Sequence, residues 1–156
     1  MEKIKVSNVT KIFGPQPAQA LRLLEQGVNK EEIFNQTGQA VGLANVSFQV
    51  PEGEIVVIMG LSGSGKSTLL RCLNRLIDPT QGQVFIDGVD IMTLDHEALL
   101  SLRRQKFGMV FQHFALFPHR NILNNVEYGL EIQGIDINKR QDKARQALKL
   151  VGLEGW

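Results

Sequence analysis

The chain has 156 residues, 43% of them apolar and 21% charged, with a formal net charge of +1. Such a length and balance predict one soluble globular domain with enough chain to bury a core, and they speak against a disordered tail or a strongly basic nucleic-acid binder. The single cysteine, Cys72, rules out an internal disulfide framework, and no apolar run approaches the ~20 residues of a membrane span.

The opening Met1-Glu2-Lys3-Ile4-Lys5 lacks the apolar stretch of a signal peptide, so the chain reads as cytosolic. Imperfect alternation through Ile4, Val6, Val9 and Ile12 predicts a strand, ended by Gly14-Pro15. Residues 16–39 change character: Ala18, Leu21 and Leu24 favour helix, Gly27 breaks the run, and Asn29 restarts it, which predicts a short helical hairpin. Glu25, Glu31 and Glu32 read as its solvated face. Period-two alternation returns over 43–50, with Val46, Phe48 and Val50 on one side, and Pro51-Glu52-Gly53 turns the chain. Ile55-Val56-Val57-Ile58-Met59 is a continuous, β-branched apolar run, the pattern of a strand covered on both faces. A helix over 66–76 follows, with Leu69, Leu70, Leu73 and Leu76 on one side and Cys72 as a small buried hydrophobe. Asp87-Gly88 between two β-type runs predicts a tight hairpin. Downstream, 95–104 reads as a helix with Asp95 as N-cap, 107–111 as a short apolar strand, and 121–132 and 138–151 as helices, the last capped by Gly152. The order of elements is that of an α/β domain with an antiparallel attachment.

The segment from Gly60 to Ser67 matches G-x-x-x-x-G-K-[ST], and each residue type in it has a physical task. The glycines, Gly60, Gly63 and Gly65, permit positive φ and let backbone N–H groups approach a phosphate with no Cβ in the way. Ser62 and Ser64 add small polar side chains to the loop. The loop opens a helix, whose positive dipole end favours anions. Lys66 is placed to reach the β- and γ-phosphates, Ser67 to offer its hydroxyl to Mg²⁺, and Thr68 to add a further donor. An apolar run before the loop and an amphipathic helix after it are the setting that the motif requires. Val84-Phe85-Ile86-Asp87 imitates the apolar-run-plus-Asp that holds Mg²⁺ in such enzymes, but it lies too close behind the loop, and Gly88 stands where a glutamate would be wanted.

Gly60–Thr68 followed by Leu69-Leu70-Arg71, together with Met109-Val110-Phe111-Gln112, resembles the Walker A motif and Q-loop of ABC-transporter ATPase subunits. The resemblance implies that Gln112 touches Mg²⁺ and the attacking water, and that Phe13 stacks on adenine. It implies ATP and Mg²⁺ as cofactors, and Lys66 and Gln112 as catalytic groups. The hairpin at 16–39, with Leu73-Asn74-Arg75-Leu76-Ile77 and Phe114–Arg120, narrows the likeness to the glycine betaine/proline betaine importers. The implied fold is a P-loop NTPase core of the ABC ATPase type with an N-terminal antiparallel β attachment and the start of a helical subdomain. The implied division is 1–112 for the partial core and 113–156 for the end of the Q-loop and the helical subdomain. The implied partners are a membrane permease, met through the segment after Gln112 with Phe114, Leu116 and Phe117, a second copy of the subunit, and indirectly an extracytoplasmic binding protein. The location would be the inner face of the cell membrane, reached through the permease, with no role in nucleic-acid binding.

The family's L-S-G-G-Q signature, Walker B Asp–Glu pair and switch histidine do not occur in the sequence up to Trp156, and His96, His113 and His119 all precede the switch position. The expectation is therefore an incomplete core that binds nucleotide with negligible turnover by itself and folds poorly in isolation. A non-hydrolysing nucleotide-binding fragment or a truncated gene product is the alternative.

Overall fold

A computed structural model describes residues 2–111 and 116–154. The elements run β1 (Glu2–Phe13), α1 (Pro17–Glu25), α2 (Lys30–Thr37), β2 (Ala40–Pro51), α3 (Lys66–Leu73), β3 (Gln81–Ile86), β4 (Val89–Asp90), α4 (His96–Lys106), α5 (Ile122–Glu131) and α6 (Ile137–Leu150). They group into two compact units, Met1–Asp95 and His96–Trp156.

The first unit is built on a four-stranded antiparallel sheet in the order β2-β1-β3-β4. Its inner face buries Val6, Val9, Leu43, Val50, Val84 and Ile86, and α3 contributes Leu69, Cys72 and Leu73 to the core. Each such aliphatic side chain, fully buried, stabilises the fold by about 1.5–3 kcal/mol. Burial also raises the Cys72 thiol above its usual pKa, which suits an unreactive packing residue.

The long strands are not regular. β1 and β2 carry register shifts, and Asn8 and Asn45 adopt positive φ values of 52° and 50°. Asparagine tolerates this conformation better than most side chains. Side chains hold the bulges in place. The Asn8 amide donates to Ser47 Oγ at 2.8 Å, that hydroxyl lies 3.0 Å from Asn8 Oδ1, and the Asn45 amide donates to the buried Thr10 Oγ1 at 3.0 Å. The Asp87-Gly88 hairpin is present between β3 and β4, with φ of 51° and 79° at its two central residues, as a tight hairpin turn requires.

The helical hairpin forms as its sequence predicts. Pro17 sits in the first turn of α1, where its missing N–H removes no helical bond. Asn29 caps α2 by accepting from Glu32 N–H at 2.9 Å, and Gly38, at φ 67°, ends it. Ala20 and Ile33 pack with Ile12 of β1 in a small core of their own. The buried Gln39 closes the base: its side chain accepts from Gln16 N–H at 3.2 Å and donates to Thr37 C=O at 3.0 Å. Glu25, Glu31 and Glu32 are exposed.

Three expectations fail. The apolar run at 55–59 is not a strand: no described residue pairs with it, and Ile55 and Met59 are 89% and 84% exposed. A strand exists only with a hydrogen-bonding neighbour, and composition cannot supply one. The same holds at 107–111, where Val110 is 98% exposed and no ladder forms. The helix after the loop stops at Leu73 rather than Leu76, because Arg75 turns to a positive φ of 54°. Its guanidinium donates to Asp78, Ile91 and Leu94, and Leu70 and Leu76 are left exposed.

In the second unit α5 packs against α6. Asn121 and Asp136 cap these helices, and Gly152 follows α6 at φ 75°. The Asn125 side chain receives Phe117 N–H at 2.8 Å and donates to the Phe117, Arg120 and Asn121 carbonyls, which pins the approach to α5. Arg120 donates to Glu131 at 2.6 Å and lies over the Tyr128 and Phe117 rings. That hydrogen bond, more than the charge itself, holds the Glu131 carboxyl below its usual range. A folded-state pKa that is depressed contributes stability present above the unfolded pKa of about 4.3 and lost as pH falls through the folded value. Glu131→Gln should therefore flatten the acid limb of the melting temperature, followed from about pH 6 to about pH 3, with little change at neutral pH. An unchanged acid limb would mean the pair contributes nothing.

Candidate functional site

The loop residues singled out in the sequence lead into the start of α3. Gly65 is its N-cap, at φ 94°, and no side chain caps the helix. The first helical bond runs from Leu69 N–H to Gly65 C=O at 2.8 Å, so the amides of Lys66, Ser67 and Thr68 precede the ladder and point out of the helix start. A helix end with no acceptor for these donors is suited to an anion.

Backbone contact demands glycine at one point of this loop, Gly65. A Cβ on Gly65 would lie 2.5 Å from the Gly42 carbonyl oxygen, so only glycine lets the helix start sit against β2. A Cβ on Gly60, at φ 157°, would approach Ser64 Oγ to 2.7 Å. Gly63 needs glycine only for its φ of 77°, since the space beside it is open.

The Lys66 ammonium folds back on the loop. It donates to the Gly60 carbonyl at 2.8 Å and the Leu61 carbonyl at 2.7 Å, and lies 3.4 Å from Ser64 Oγ. A triphosphate in the loop would draw this ammonium off neutral carbonyls and onto charged oxygens, a stronger class of hydrogen bond.

A groove of about 350 Å³ runs from the loop to the end of β1, lined by Phe13, by 40–42 and by 63–68. Phe13 is 40% exposed, and the Lys11 ammonium lies 5.2 Å from its ring centroid. Its ring rests on Gly42, where a Cβ would come within 2.6 Å of Phe13 Cε2. An aromatic ring, the backbone at the start of α3 and a lysine thus share one concave surface. Ser64, Gly65, Lys66, Ser67 and Thr68 line the groove with Gly63. Gly60 serves as an acceptor for Lys66, and Ser62 is exposed at the loop tip outside the groove lining. Gln112, His113 and Phe114 lie outside the described residues. Leu116 is exposed, whereas Phe117 packs edge-on to Tyr128 at 4.7 Å between centroids.

The groove wall at Ala40, Val41 and Gly42 escaped the sequence reading. Gly42 was the available signal, since a glycine inside a strand marks the close approach of another group.

A family model described as ABC transporter matches residues 43–156. The chain is 58% identical over 154 residues to the glycine betaine transport ATP-binding protein OpuAA of Bacillus subtilis, covering 99% of this chain and 37% of that protein. It is 54% identical to the glycine betaine/carnitine transport ATP-binding protein GbuA of Listeria monocytogenes, over 100% of this chain and 39% of the relative. To ProV of Escherichia coli, a glycine betaine/proline betaine transport system ATP-binding protein, identity is 51%, over 99% and 38% of the two chains. The chain therefore spans well under half the length of these curated relatives. Among solved structures, the dimeric ATP-binding cassette MJ0796 bound to ADP and Pi matches with a TM-score of 0.73 and 36% identity, over 94% of this chain and 56% of that one.

Proposed function

Because the chain belongs to the ABC transporter family, we propose that it is part of an ATPase subunit that energises uptake of glycine betaine- or proline betaine-type osmoprotectants. The observation that carries this reading is the single groove joining Phe13 to the uncapped start of α3. The transport substrate is proposed from the relatives' names.

ATP would lie with its base on Phe13 and its phosphates against the amides of 63–68. Lys66 would release the Gly60 and Leu61 carbonyls and bind the outer phosphates. Ser67 would hold Mg²⁺, with Gln112 as a further ligand that also orients the attacking water. The cation supplies charge neutralisation across the outer phosphates. The rest of the chemistry assigned to these residues is positioning and electrostatic stabilisation. Hydrolysis would need a second copy of the subunit, and coupling would need a permease that meets the segment after Gln112, where Leu116 offers an exposed apolar side chain. The subunit would work at the inner face of the membrane, and the extracytoplasmic binding protein would deliver the betaine.

Lys66→Ala in the full-length protein should weaken ATP binding by about tenfold or more, since it removes a charge-assisted hydrogen bond worth about 1.5–3 kcal/mol. It should also abolish glycine betaine uptake by cells that depend on this transporter. Titration calorimetry with ATP and a labelled-betaine uptake assay check the two halves. Unchanged ATP affinity would sink the nucleotide site, and uptake that persists without the lysine would sink the coupling.

A further inference from the structure

The nucleotide groove does not end at Phe13. A second concavity of about 380 Å³ adjoins it and shares two lining residues with it, Ala40 and Val41. Its remaining lining is Lys30, Glu31, Phe34 and Asn35, all from α2. Ala40 is also the ladder partner of Phe13. The base end of the groove is therefore bordered by the strand that carries Phe13 and, across Ala40, by the inserted helix.

One feature of α2 is unexplained by packing. The helix buries Ile33 in the small core beneath it, yet Phe34, the next residue, is 54% exposed. A phenyl ring left open to water on a well-capped helix is available surface, and aromatic faces are what nucleobases stack on. Beside it, Glu31 and Asn35 are one turn apart on the same helix, so a carboxylate and a carboxamide border the ring. These groups can accept from an exocyclic amine or from ribose hydroxyls.

We infer that α2 is the outer wall of the base subsite, with Phe34 as an aromatic cover for the purine and Glu31 and Asn35 as its polar rim. The inference rests on the nucleotide reading of the loop. It gives the helical hairpin a direct part in binding ATP, beyond decorating the edge of the sheet.

The test separates base from phosphate. ATP and inorganic tripolyphosphate are titrated, each with Mg²⁺, into the full-length protein and its Phe34→Ala and Phe34→Tyr variants. Phe34→Ala should weaken ATP about five- to tenfold, the low end of what one lost base–aromatic stack costs, and leave tripolyphosphate within twofold. Phe34→Tyr keeps an aromatic face and should stay within twofold of the parent for both ligands. The exposure of Phe34 means that neither change disturbs the core. Loss of less than threefold for ATP in Phe34→Ala overturns the inference, as does an equal loss for both ligands or a tyrosine variant as weak as the alanine one. If the parent protein binds neither ligand, the loop assignment fails and takes this inference with it. If the parent binds both and Phe34→Ala binds both as tightly as the parent does, only the α2 wall fails.

Discussion

Gly82→Ala should destabilise the first unit by about 3 kcal/mol or more. Gly82 stands at φ 98° in β3, and a Cβ there would lie 2.5 Å from the Asn8 carbonyl oxygen and 2.6 Å from Val9 Cα. Both are backbone atoms, so no rotamer change relieves the contact. They also belong to the bulge of β1, whose geometry is fixed by Ser47 and by the Thr10–Asn45 hydrogen bond. Relief would have to separate β1 from β3 in the middle of the sheet. Gly88→Ala gives the contrast: φ is 79° but nothing lies within 4 Å, so about 1 kcal/mol of backbone strain is all that is expected. Denaturant melts of the two variants in the full-length protein measure the difference. Equal losses would show that the β1–β3 crossing yields easily.

The second large effect belongs to Gly65→Ala, read in binding as well as in stability. An alanine Cβ meets the Gly42 carbonyl at 2.5 Å and Leu43 Cδ2 at 3.0 Å, at a φ of 94°. Either the helix start withdraws from β2 or β2 bends at Gly42, and Gly42 is the residue on which the Phe13 ring lies. Both ends of the groove would move with one substitution. ATP affinity should fall at least about tenfold, with about 1–3 kcal/mol of stability lost as well. Gly63→Ala, in open space at φ 77°, should lose much less of either. If Gly65→Ala binds ATP as the parent does, the close approach of loop and strand is not what shapes the groove.

The features legible from the sequence are those whose cause is local. The phosphate loop is a run of residue types with individual conformational tasks, and Asp87-Gly88 fixes its turn by φ alone. Asn29 and Asn121 announce helix starts because a cap needs only its own next turn. The misreadings have non-local causes. Ile55–Met59 has the composition of a central strand, but among the described residues it has no strand beside it, and propensity without a partner leaves apolar side chains in water. By its spacing Leu76 belongs to the helical stripe of Leu69 and Leu73, yet Arg75 reaches out to Ile91 and Leu94 and the helix ends before Leu76, while Leu70, inside α3, is exposed as well. The groove wall at Ala40 to Gly42 is set by which strand crosses beneath Phe13, a fact of register that no window of sequence contains. The role of Phe34 was hidden for the same reason, since its neighbours in space come from another element.

Phe13 and Ala40 face each other across the ladder although residues 14–39 separate them in the chain, and Gln39 ties the two ends of that stretch together. The helical hairpin is thus a detour with a closed mouth: the strands on either side keep the register that a short turn would give them. Loop-closure cost grows only slowly with length, so the detour could be lengthened at small entropic expense as long as Ala20 and Ile33 still cover Ile12. Material inserted there would leave the phosphate end of the groove as it is and change only what surrounds the base. The position is an exchangeable socket through which a common nucleotide-binding framework can acquire a private rim.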